Sequence, residues 1–284
     1  MKRRWASMIM MRFLLKCLAV TFVTIFLTGP LLAESEATPI PLDELPFKVG
    51  ERLTYSLRWG VIRAGIGVLE VHPVTETDGE EVYHFSLSVR TTSLVDRFYK
   101  VRDRIDGFVR TDFSGSKLYL VKKDAGKNLR DVEVIYNSEE GFAQYSNFGE
   151  EREPVEILPG TLDPLSVLFA VRSIPLKNGE NVELPISDGK RVSMGVARVR
   201  GTKRITVPDG NYRTILVEPD MRDVGGVFEK SGDSPMEVYF SNDERQLPVR
   251  IASEVVVGKF TADLVSVEQV PEKDLKKFEH PRVD

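Results

Sequence analysis

Residues 83–90 read Tyr83-His84-Phe85-Ser86-Leu87-Ser88-Val89-Arg90, with large apolar side chains at every second position and polar ones between them. A strand sends successive side chains to opposite faces, so a period of two predicts a β-strand with one buried face. The same period runs outward in both directions. Leu53, Tyr55, Leu57 and Trp59 alternate with Arg52, Thr54, Ser56 and Arg58, and Leu247, Val249 and Ile251 alternate with Arg250 and Ala252. Phe260, Ala262 and Leu264 continue the pattern until Val265 changes its phase, which predicts a bulge or a strand end there. Asp78-Gly79, Glu140-Gly141, Asn178-Gly179, Asp188-Gly189, Asp209-Gly210 and Val257-Gly258 separate the runs with turn-forming pairs. Short strands at regular spacing predict antiparallel meanders, not βαβ units.

One segment breaks the rule. Asp163 suits a helix N-cap and Pro164 the first helical position, and Leu165, Leu168, Phe169 and Arg172 follow at helical spacing. Val167 and Val171 widen the apolar stripe, and Pro175 ends it. The expected fold is therefore mainly β: antiparallel sheets forming an open or partial barrel, with one helix packed at 163–173. That helix divides one domain, residues 47–270, into β-rich halves at 47–158 and 177–270. Residues 34–46 read as an exposed leader, and 271–284 as a flexible or short helical tail.

The start of the chain has a different logic. Lys2, Arg3, Arg4 and Arg12 precede an apolar run from Leu18 to Leu27, Gly29 and Pro30 interrupt it, and Ala33 offers a small residue before Glu34. Residues 1–33 thus read as a cleaved signal peptide, and the apolar run is shorter than the roughly 20 residues of a membrane span. Cys17, the only cysteine of the 284 residues, lies inside this segment, so disulfides and thiol chemistry are not expected in the mature chain. Losing five bases and no acid moves the formal charge from −4 to −9, which disfavours nucleic-acid binding. The expected location is the periplasm, with or without membrane association.

No Gly-x-Ser-x-Gly elbow, phosphate loop or His-Glu-x-x-His helix occurs. With Thr77-Asp78-Gly79 as a three-residue loop, Leu69 faces Leu87, Val71 faces Phe85, and His72 faces His84. Two imidazoles are weak candidates for a metal site, because zinc wants three or four protein ligands. Pro73 points to an edge strand, and an exposed polar pair is the preferred reading. No metal or other cofactor is expected. Lys100, Arg102 and Arg104 alternate with Tyr99, Val101 and Ile105, so a strand there presents a basic row beside Phe98. That row and Trp59 are the candidate ligand-binding residues, fitted to an anionic headgroup or envelope polymer. A solvated face balanced by Asp96, Asp103 and Asp106 is the plainer alternative.

Phe47-Lys48-Val49-Gly50-Glu51-Arg52-Leu53-Thr54-Tyr55, followed by Trp59 and Ala64-Gly65, resembles the opening of the bacterial family called domain of unknown function 3108. Asp163-Pro164-Leu165-Ser166 and Leu247-Pro248-Val249-Arg250-Ile251 resemble its middle and late blocks. The likeness spans about Phe47 to Val270 and implies an exported protein without an assigned activity, so no functional residue transfers. The leading expectation is a non-enzymatic carrier for an apolar or amphipathic ligand, because Gly67-Val68-Leu69 and Glu254-Val255-Val256-Val257 are apolar on both strand faces. A structural factor with a protein or polymer partner comes second, and a metal-free cell-wall glycan hydrolase third.

Overall fold

The computed structural model describes residues 39–126, 128–220, 236–255 and 258–275. The expected signal peptide, residues 34–38 of the leader, Val256 and Val257, and the tail from 276 lie outside the described residues.

The first half builds β1 (Glu51–Trp59), β2 (Ile62–Val71), β3 (Thr75–Thr77), β4 (Glu80–Thr91), β5 (Arg102–Arg110) and β6 (Ser116–Ala125). It continues through β7 (Asn128–Asn137), β8 (Phe142–Asn147), β9 (Glu150–Glu151) and β10 (Val155–Glu156). The second half builds β11 (Asn181–Ser187), β12 (Val192–Val207), β13 (Gly210–Asp220), β14 (Met236–Ser241), β15 (Pro248–Val255) and β16 (Gly258–Gln269). Two helices are described, α1 (Ser93–Asp96) and α2 (Ser166–Arg172).

All strands join one antiparallel sheet in the order β10-β8-β7-β6-β5-β4-β2-β1-β16-β15-β14-β13-β12-β11, with β3 on β4 and β9 on β8. Each half is a meander, and the first and last long strands join them through the β1–β16 pairing. The sheet curls without closing. Its two ends approach through the Tyr136 hydroxyl, which donates to the Ser187 carbonyl at 2.6 Å. Leu162, on the way into α2, forms a parallel bridge with Ile186 of β11. The architecture is the open, partial barrel with a packed helix that the alternation predicts.

Details of register follow the side chains. Thr54 pairs with Ser266 and Tyr55 with Leu264, so Val265 is bulged where the sequence changes phase. Leu69 does face Leu87, and Val71 faces Phe85. The connecting turn, however, is two residues, not three: Asp78 and Gly79 both have positive φ, 51° and 78°, and Thr77 pairs with Glu80. The spare residue is absorbed between β2 and β3, around Pro73, which supplies no N–H to a ladder. Nor is β2 an edge strand, because β1 flanks its other side.

Helix α2 starts later than its capping residues suggest. The Asp163 carboxylate Oδ1 accepts the N–H groups of Leu165 and Ser166, both at 2.8 Å, so the first turn is spent on the cap. The leader departs from expectation: Leu45 is buried, and Ile40 and Leu42 pack on the core. The Ile40 N–H donates to the Thr111 carbonyl at 3.1 Å, and its own carbonyl accepts from the Tyr83 hydroxyl. In the tail, Glu272–Asp274 forms a single 3-10 turn.

Candidate functional site

Helix α2 divides the interior of the curled sheet into two unlike spaces. Phe169 stacks on Phe85, with ring centroids 3.7 Å apart, and meets the edge of Phe47 at 5.1 Å. With Leu165 and Ala170 it joins the main buried core, built mostly from the first half together with Val207, Leu247, Val249 and Leu264 of the second. Val171 faces β12–β14 from another side of the helix, and Leu168 packs against both clusters.

There Val171 joins a second buried cluster with Val199, Val217, Val238 and Phe240, beside a pocket. A cavity of about 290 Å³ lies between Leu168 and Val171 of α2, Leu184 of β11, Ala197 of β12, Val217 of β13 and Val238 of β14. Asp220 is the one charged residue on its described wall, and its carboxylate pairs with the Arg198 guanidinium at 3.2 Å. The rest of its described wall is almost wholly hydrocarbon, and an apolar guest seated there is favoured by the apolar surface it covers.

Both ends of α2 are held by buried charge. At its N-terminal end Asp163 is fully buried and also accepts from the Ser116 hydroxyl at 2.6 Å. Burial raises its pKa, and the hydrogen bonds act against that shift. Gly107 is small because it must be: a Cβ there would lie 2.9 Å from Asp163 Oδ1 and 2.9 Å from Ser166 Oγ. At the C-terminal end Arg172, with no exposed surface, donates from Nη1 to Glu51 Oε1 at 2.7 Å and from Nη2 to Glu51 Oε2 at 3.2 Å. Its Nη2 also donates to the Arg245 carbonyl, and Phe47 and Phe169 flank the guanidinium at 5.1 and 5.5 Å. The helix, and with it one wall of the cavity, is thereby tied to β1 and to the β14–β15 turn.

The opposite face of the sheet carries the charged residues. An open groove of about 470 Å³ runs across β1, β2, β4 and β5, lined in part by Arg52, Glu70, Arg90, Arg102 and Arg104. Most of this charge is committed internally. Arg52 pairs with Glu70 at 2.7 Å, Arg102 with Asp96 at 2.6 Å, and Arg104 with Asp106 at 2.7 Å. The expected basic row therefore divides. Arg102 and Arg104 stand on β5 with their charges answered, whereas Lys100 precedes the strand and is exposed in the α1–β5 connection.

The two histidines do meet, with rings stacked 4.2 Å apart. They are buried, not exposed, because β5 covers the far side of β4 and Phe108 stacks on His84 at 4.3 Å. His72 Nε2 shares a 2.7 Å hydrogen bond with Ser86 Oγ, and His84 Nε2 one of 2.8 Å with Asp106. Burial, then His84, then Arg104 push the His72 pKa down to about 3, and burial lowers that of His84 as well. Among the described residues no three His, Cys, Asp or Glu side chains converge to hold a metal ion.

Trp59 stacks on Phe260 at the β1–β2 hairpin, with centroids 6.0 Å apart and planes 4° from parallel. Phe98 is 86 % exposed. Neither lines the cavity. The cavity walls were not singled out from sequence, and the one legible signal was the stripe of α2, wider at Val167 and Val171 than a single buried face requires.

Among the described residues no helix is long and apolar enough to cross a membrane. The family described as "Protein of unknown function (DUF3108)" matches residues 54–265. No curated protein matches the chain. Among solved structures, a β-barrel-like protein of domain of unknown function DUF1849 from Brucella abortus aligns with a TM-score of 0.49 and 14 % identity, over 78 % of this chain and 98 % of that one. A candidate exported protein with a YmcC-like fold from Bacteroides fragilis aligns with a TM-score of 0.32, and a candidate lipoprotein from Parabacteroides distasonis with 0.34. Each of these two is 10 % identical, over 79 % of this chain and 98 % of its own.

Proposed function

Since the chain belongs to the DUF3108 family, whose description assigns no activity, we propose from its geometry that it is an exported carrier holding an apolar or amphipathic molecule beside α2. The observation that carries this reading is the cavity of about 290 Å³. Ligand pockets run from about 300 to 1,000 Å³, so this one suits a single hydrocarbon chain or a small ring system better than a whole diacyl lipid. A polar end on such a molecule would meet the Arg198–Asp220 pair at the wall. Export, with residues 1–33 removed, accords with the basic start and short apolar run.

The test is mass spectrometry of an organic extract from protein purified out of its own envelope, run beside the variant Ala197→Phe. A stoichiometric amphiphile in the wild type, absent from the variant, supports the carrier reading and gives the ligand class. An empty extract from folded wild-type protein, with no uptake of added fatty acid, overturns it.

A further inference from the structure

The β1–β2 hairpin and the α1 connection lie side by side at one end of the first half, next to the start of β16 and the end of β6. Hydrogen bonds tie them together: Thr92 N–H donates to the Ala64 carbonyl at 3.0 Å, Gly60 N–H to the Lys259 carbonyl at 2.8 Å, and the Tyr99 hydroxyl to the Ala125 carbonyl at 3.3 Å. This end exposes large apolar side chains that polar loops ordinarily avoid. Val61 is 88 % exposed at the β1–β2 hairpin, between the half-exposed Trp59 and Ile62. Leu94 of α1 and Phe98 after it stand out from the next connection, and Phe260 extends the group from β16. A contiguous set of this kind marks an interaction surface.

The surrounding charge identifies the partner. The whole chain has 43 acids and 39 bases, yet residues 58–63 and 92–101 hold Arg58, Arg63, Arg97 and Lys100 against Asp96 alone. Asp96 is itself taken by Arg102. Aromatic and aliphatic tips ringed by Lys and Arg are the chemistry of an anionic bilayer surface. Apolar groups enter the headgroup boundary, Trp and Tyr sit at its level, and the bases meet the phosphates. We propose that this end of the sheet docks on membranes rich in anionic lipid. None of these side chains lines the cavity, and docking does not depend on whether it holds a ligand.

The chain has two tryptophans, Trp5 and Trp59. Carrying Trp5→Phe makes Trp59 the sole fluorescent reporter, set within the proposed surface. The protein is recovered from the periplasm of an expressing bacterium and titrated with phosphatidylcholine vesicles, with and without phosphatidylglycerol. The expected result is a blue shift of Trp59 emission, with quenching by brominated lipid, on the anionic vesicles alone. Arg63→Glu with Lys100→Glu should weaken partitioning on the order of tenfold or more. Val61→Asp with Phe98→Asp should abolish the shift with an unchanged unfolding midpoint, since both side chains are exposed. Unaltered Trp59 emission, equal binding to neutral vesicles, or tip variants that bind like the parent would each overturn the proposal.

Discussion

Replacing Glu51 by Gln changes almost no volume and removes one charge from a buried pair. Arg172 has no exposed surface, and two of its nitrogens contact the Glu51 carboxylate at 2.7 and 3.2 Å. The Arg245 carbonyl and two aromatic faces complete its surroundings, and its Nε finds no acceptor. A glutamine oxygen can accept one of the two lost hydrogen bonds but cannot answer the charge. Stranding one partner of a buried pair costs about 3–5 kcal/mol, whereas replacing both by hydrocarbon of similar volume is often near neutral. For about 240 residues, each kcal/mol moves the unfolding midpoint by about 2–4 °C, so Glu51→Gln should lower it by about 6–20 °C. The assay is urea and thermal unfolding of Glu51→Gln, Arg172→Met, and Glu51→Leu with Arg172→Met. The double variant should be more stable than Glu51→Gln. A single variant within about 1 kcal/mol of wild type, or a double variant with fully additive losses, would refute the assignment of this pair as what anchors α2.

At the other end of the helix, Asp163→Ala strips the acceptor from two backbone N–H groups and the Ser116 hydroxyl, and should cost about 1–3 kcal/mol by chemical denaturation. Gly107→Ala drives a methyl against Asp163 and should cost a similar 1–3 kcal/mol; combined with Asp163→Ala it should cost less than the sum. His72 is held near about 3 in the fold, against 6.5 when free, so the unfolded chain takes up a proton that the folded one refuses. Its contribution to stability is therefore complete above 6.5 and is lost as pH falls from 6.5 toward 3, at up to about 1.4 kcal/mol per pH unit. His72→Asn should reduce the slope below pH 6.5 without abolishing it, since burial lowers the His84 pKa as well; an unchanged slope counts against a neutral, buried His72. Ala197→Phe should abolish fatty-acid uptake while leaving vesicle binding by the β1–β2 end intact, and simultaneous loss of both would show that the two surfaces are not independent.

Local pattern carried most of the fold. Alternation at 53–59 and 83–90 assigns strand faces because the period of two is a property of the backbone itself. The phase change at Val265 marks the bulge for the same reason: an extra residue must reverse every later side chain. Asp163-Pro164 placed α2 to within a few residues, its first helical residue being Ser166, because a cap and a fixed φ act within one turn.

What the sequence could not decide was which faces meet. Arg102 and Arg104 left two readings open, a ligand-binding row and the plainer face balanced by Asp96, Asp103 and Asp106; the pairs Arg102–Asp96 and Arg104–Asp106 follow the plainer one, at separations of a few ångströms that composition does not encode. His72 and His84 were placed opposite each other correctly by register and wrongly as exposed, since burial depended on β5 joining the far side of β4. The cavity belongs wholly to tertiary structure. It lies where the curled sheet meets α2, which packs on both halves: Phe169 and Ala170 join one buried cluster and Val171 the other. The sequence by itself determined strands, helix and turns; only the packing of those elements around α2 decided where an apolar pocket would lie, because that depends on which distant faces meet.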